Sequence, residues 1–129
     1  MPVGNRQSNQ HYEDDWGEKW QGLLETNADG TTNYDNQANQ LLAKNLKSKL
    51  LIAHGTMDAN VPYYSTLLVV NELIAANKDF DLMLFPNRGH GFGNERYMMR
   101  RRWDYFVQHL LGAEPPKEYE FGAQRPQIP

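Results

Sequence analysis

Lys49-Leu-Leu-Ile-Ala-His-Gly-Thr-Met-Asp-Ala-Asn-Val-Pro62 is the stretch whose reading decides the fold. Leu50 to Ala53 is a short unbroken apolar run closed by His54 and Gly55, the pattern of a strand covered on both faces of a parallel sheet. Pro62 suits the first turn of a following helix, where its missing N–H leaves nothing unpaired. Tyr63, Leu67, Val70 and Ile74 then recur at helical spacing and predict one apolar stripe. Asn77 to Asp79 ends that helix, and Phe80 to Phe85 reads as a second strand. Sequential strands joined by a helical crossover pair in parallel, so the pattern is α/β.

Outward from this unit the signals weaken. Downstream, Pro86 to Asn94 is a loop punctuated by Gly89, Gly91 and Gly93, followed by a helix with Met99, Trp103, Phe106 and Leu110 in register and Gly112 at its C-terminal end. Upstream, Trp16 to Leu24 predicts a short helix, Asn27 to Gly30 a turn, and Asp35 to Asn45 a helix. Three stretches result: a polar N-terminal segment with short helices over residues 1–48, an α/β core over 49–112, and an extended or disordered Pro-rich tail over 113–129. Two strands make too small a layer to bury a parallel sheet. The expectation is the C-terminal portion of a larger α/β domain with an incomplete sheet, whose open edge favours self-association.

Composition narrows the function. The chain has 129 residues, with 13 Lys plus Arg against 16 Asp plus Glu for a formal charge of −3, which argues against nucleic-acid binding by bulk electrostatics. Arg100, Arg101 and Arg102 do not change this, because on a helix they fan across about 200° rather than form one patch. No membrane span is expected, and the absence of Cys excludes a disulfide framework and a thiol nucleophile. Glu25 to Gly30 resembles the start of a calcium loop but places Asn36 where the bidentate Glu belongs, so it reads as a turn.

In doubly wound sheets the working side chains lie in loops at the carboxyl ends of strands. Here each strand is followed by such a loop, the first carrying Asp58 and the second carrying His90 between two glycines. Acid followed by His is the chain order of an α/β-hydrolase triad. His takes the proton of a nucleophile and returns it to the leaving group, while the carboxylate fixes the imidazole tautomer. His54 reads as a packed strand-end residue rather than a second base.

The segments Leu50 to Val61 and Gly89-His90-Gly91 together resemble the C-terminal end of the prolyl oligopeptidase family of serine peptidases, closest to its dipeptidyl peptidase IV branch. The resemblance implies an α/β-hydrolase fold, with Asp58 and His90 as triad acid and base. It further implies that Asn60 binds a substrate carbonyl and that Val61 lines the pocket for the residue before the cleaved bond. Trp16 to Gly22 is similar to an upstream motif of the branch, which puts Tyr12 and Trp16 at aromatic pocket positions. Gly89 stands where the family has Asp. The implied reaction is peptide hydrolysis near the N-terminus, often after Pro or Ala, without metal or cofactor.

The nucleophile is the missing piece. Ser8, Ser48 and Ser65 lie in no G-x-S-x-G elbow. The expectation is that the serine lies upstream, with the rest of the catalytic domain and a β-propeller, and that this chain is inactive alone. Without neighbouring strands, Asp58 and His90 are expected to be loosely held and need not be in hydrogen-bond reach. Rival expectations are an oligopeptidase or acylaminoacyl-peptidase-like enzyme of the same family, and a non-catalytic interaction module on a hydrolase scaffold.

Overall fold

The computed structural model describes residues 18–35 and 38–122. They belong to two compact units, one ending at His90 and the other starting at Gly91.

The first unit begins with α1, Lys19–Gln21, closed by Gly22 at φ 84°, a left-handed geometry that glycine adopts without steric cost. The stretch read as a turn is one. The Gly30 N–H donates to the Asn27 carbonyl at 3.0 Å, and Thr26 bridges Thr32 in antiparallel sense. The Asp29 carboxylate is satisfied within this turn by the Thr31 N–H at 3.0 Å and hydroxyl at 2.6 Å. Tyr34 is buried, and its hydroxyl donates to the Gly22 carbonyl. The helix expected over Asp35–Asn45 is shorter: α2 spans Asn39–Leu42 and tightens into a 3-10 turn over Ala43–Asn45.

The α/β unit follows as anticipated. Strand β1, Leu51–Gly55, helix α3, Tyr64–Ala75, and strand β2, Asp81–Phe85, form one crossover. The strands pair in parallel, in register from Leu51 opposite Asp81 to Gly55 opposite Phe85. Among the described residues the sheet has these two strands. Leu51, Ile52 and Ala53 are therefore only half-buried, short of the double covering that their sequence suggests.

The buried side of α3 also differs from expectation. Ser65, Thr66, Val69 and Leu73 face inward, whereas Leu67 and Ile74 of the expected stripe are 39% and 64% exposed. The cause is that α3 is apolar on two sides, so periodicity alone does not say which row meets the sheet. Leu73, 1% exposed, forms the core with Ala43 and Val69, flanked by Leu46, Leu50, Ile52 and Phe80. An apolar groove of about 420 Å³ runs along the same face, lined by Leu42, Leu46, Leu50, Ile52, Val69 and Leu73. Leu73→Ala is expected to cost about 2–5 kcal/mol in urea denaturation, while Ile74→Ala should stay within about 0.5 kcal/mol. Equal losses would contradict this packing.

In the second unit, α4 spans Arg96–Phe106 and widens into a π-helical turn over Val107–Leu111. Gly112 ends it in the left-handed conformation, φ 65°, as its position suggests. The expected Met99–Trp103–Phe106–Leu110 stripe is not a core: Trp103 is 61% and Leu110 is 76% exposed. The buried residue of α4 is Met98, one position off the expected row, so the covered face is not the one that the apolar spacing picks out. The three arginines have separate local partners: Arg100 on Asp104 at 3.4 Å, Arg101 on the Tyr97 hydroxyl at 3.5 Å, and Arg102 on the Gly93 carbonyl at 3.0 Å. Among the described residues no helix is long and apolar enough to cross a membrane.

Candidate active site

The two loops beyond the carboxyl ends of β1 and β2 are stitched together as a continuation of the parallel ladder. The Thr56 N–H donates to the Phe85 carbonyl at 3.0 Å and the Met57 N–H to the Arg88 carbonyl at 2.9 Å. The Asn87 N–H returns a bond to the Thr56 hydroxyl at 3.2 Å. Asn87 turns the chain at φ 58°, a left-handed value that Asn tolerates better than most residues. Gly55 permits the close approach of the 86–90 loop, since a Cβ there would lie 2.5 Å from the Gly89 carbonyl oxygen. At Gly89 a Cβ would meet only the Met57 carbonyl oxygen, at 3.9 Å, so the path of the loop there does not depend on glycine.

This stitching brings Asp58 and His90 together. His90 Nδ1 lies 2.8 Å from Asp58 Oδ2. A carboxylate accepts, so Nδ1 carries the proton and donates. The expected looseness is not found, because the ladder bonds between the loops hold the geometry without further strands. Asp58 is buried to 4% side-chain exposure, while His90 is 56% exposed. The pair is thus an anchored carboxylate beneath an accessible imidazole.

The other carboxylate oxygen is held by backbone. Asp58 Oδ1 accepts from the Asn60 N–H at 3.0 Å and the Val61 N–H at 2.9 Å. Burial works to raise the Asp58 carboxyl pKa, but the Val61 N–H, the His90 hydrogen bond and charge, and the Asn60 N–H together outweigh it and hold the group below its ordinary 3.8. A depressed folded-state value contributes stability that is present above the unfolded value and lost as pH falls through the folded one. Acidification below about pH 4 should therefore destabilise the wild-type chain more steeply than Asp58→Asn, read by urea midpoints across pH. Parallel slopes would contradict the carboxylate's role in the loop.

Asn60 is exposed at the loop's rim, and the Val61 side chain is buried at 5%. Tyr12 and Trp16 lie outside the described residues. His54 is packed at the strand end as expected, 6% exposed. What its sequence context did not signal is that both ring nitrogens are engaged: Nδ1 is 2.6 Å from Thr66 Oγ1, and Nε2 is 2.7 Å from the Val61 carbonyl oxygen. Among the described residues no group of three His, Cys, Asp or Glu could hold a metal ion.

An ordered Asp–His couple with the outer imidazole edge accessible can relay a proton to and from a hydroxyl brought against it. The sequence matches the model of the prolyl oligopeptidase family over residues 3–113. It is similar to dipeptidyl peptidase family member 1 of Caenorhabditis elegans, 27% identical over 103 residues that cover 78% of this chain and 12% of that protein. It is also similar to a probable dipeptidyl-aminopeptidase B of Trichophyton verrucosum, 28% identical over 104 residues, covering 79% of this chain and 11% of that protein. The chain therefore spans about a tenth of the length of these curated relatives. Among solved structures, an acylaminoacyl peptidase of Pyrococcus horikoshii is 25% identical over 66% of this chain and 14% of its own, with a TM-score of 0.43.

Proposed function

The chain belongs to the prolyl oligopeptidase family, and from that premise we propose that it supplies the acid and the base of a serine peptidase whose nucleophile lies on another stretch of polypeptide. Asp58 orients His90 through the 2.8 Å bond, which is the single observation that carries the reading. His90 Nε2 then accepts the proton of an attacking serine hydroxyl as its oxygen bonds to the scissile carbonyl carbon. Asp58 stabilises the imidazolium that results, and the same proton passes to the departing amine. Water, deprotonated by the same nitrogen, releases the acyl group and regenerates the serine.

The substrate is a peptide with a free N-terminus, from which the enzyme removes dipeptides ending in Pro or Ala. The names of the two curated relatives support this over an endo-acting or N-blocked preference. In this reading Asn60 meets a substrate carbonyl, and Val61, Tyr12 and Trp16 shape the pocket. Ser8, Ser48 and Ser65 lie in no elbow motif and Ser65 is buried at 1%, which supports a nucleophile from elsewhere and an inactive isolated chain. The apolar groove along β1 and α3 and the exposed Leu67 and Ile74 support a remaining part of the catalytic domain as their cover.

The test uses the full-length protein on chromogenic Ala-Pro and N-blocked Ala-Pro substrates. Release from the free dipeptide alone is expected. Release only from the blocked form would move the assignment to an acylaminoacyl-peptidase-like enzyme, and release from neither would favour a non-catalytic module.

A further inference from the structure

We infer that His54 is a positioning residue for the Asp58–His90 couple, a clamp that closes the acid-bearing loop against the strand that starts it. The inference rests on reading that couple as acid and base, but it assigns a role to His54 and Thr66, which that reading does not use.

Strand β1 delivers His54 into the interior, where the ring sits at 7% side-chain exposure. A carbonyl oxygen only accepts, so the 2.7 Å contact with Val61 requires a proton on Nε2 that His54 donates. Thr66, 1% exposed in the first turns of α3, meets Nδ1 at 2.6 Å. Engagement of both nitrogens fixes the ring plane. The imidazole thus ties β1, the far end of the loop and α3 into one ring of contacts.

The consequence falls on Asp58. Val61, whose carbonyl His54 holds, is the residue whose N–H holds Asp58 Oδ1. His54 Nε2 also lies 3.5 Å from Asp58 Oδ2, the oxygen that His90 uses. One buried imidazole therefore steadies both ends of the carboxylate, through the Val61 backbone on one oxygen and by its own electropositive edge on the other. A buried hydrogen-bonded network of this kind restricts rotation, and loss of one member loosens those that remain.

The readout is the tautomer of His90 in this chain, from long-range proton–nitrogen spectra of the neutral imidazole. Free imidazole side chains favour the proton on Nε2, whereas a steadied Asp58 holds it on Nδ1. The wild type is expected in the Nδ1–H form. Thr66→Val, which removes the hydroxyl at constant shape, and His54→Gln are expected to shift His90 toward the Nε2–H form, with Thr66→Ser restoring it. Retention of the Nδ1–H form in folded Thr66→Val overturns the inference and leaves the couple intact, even where His54→Gln fails to fold. An Nε2–H wild type overturns the couple itself.

Discussion

If the proposed full-length peptidase carries this triad, His90→Ala is expected to lower its kcat by roughly 10⁶-fold, because a triad acts as a unit and loss of its base removes most of what the unit does. Asp58→Asn should cost on the order of 10⁴-fold, since an amide at that position lets the imidazole take the wrong tautomer while the pocket survives. KM should change little for either variant, as neither group is proposed to bind the ground-state peptide. Steady-state kinetics on a dipeptide chromogenic substrate measures both numbers. A His90→Ala enzyme within tenfold of the wild type would mean that the 2.8 Å pair is a structural contact of the loops and no more.

Gly55→Ala is expected to have the next largest effect, and for a steric reason. The new Cβ would sit 2.5 Å from the Gly89 carbonyl oxygen and closer still to that of Arg88, both of them backbone. The 86–90 loop has to retreat by about 1 Å to reach ordinary contact, and overpacking of this kind costs about 1–3 kcal/mol. His90 rides on that loop, so a displacement of this size should lower turnover in the full-length enzyme by about 10²-fold. Gly89→Ala is the control, with only the Met57 carbonyl oxygen at 3.9 Å to meet, and it should stay within about 0.5 kcal/mol by urea denaturation. Equal tolerance at the two glycines would contradict the close approach of the loops.

How much of this was legible in the sequence follows from what each signal encodes. The β1–α3–β2 crossover is readable because a continuous apolar run, a helical stretch and a second run leave few alternatives at these lengths, although α3 starts at Tyr64 and leaves Pro62 ahead of its N-cap Tyr63 rather than in its first turn. Asp58 and His90 were readable because strand ends place loops side by side whatever lies beyond them. Their distance was not, since it depends on the Thr56–Phe85, Met57–Arg88 and Asn87–Thr56 bonds, which are mostly backbone and leave no residue signature.

The helical faces escape the sequence pattern for a different reason. Leu67 and Ile74 are as apolar as Val69 and Leu73, and only the position of the sheet decides which pair is covered. Small polar Ser65 and Thr66 take inward places that a hydrophobicity pattern assigns to solvent. Thr66 is there to meet His54, a contact between residues twelve apart on two elements that periodicity does not encode.

Fluorophosphonate labelling, located by mass spectrometry, tests most directly whether this chain brings acid and base to a serine that it does not itself carry. In the full-length protein the label is expected on a serine outside residues 1–129, and to vanish with His90→Ala, while the 129-residue chain alone stays unlabelled. A label on Ser8, Ser48 or Ser65, or one that persists without His90, would contradict it.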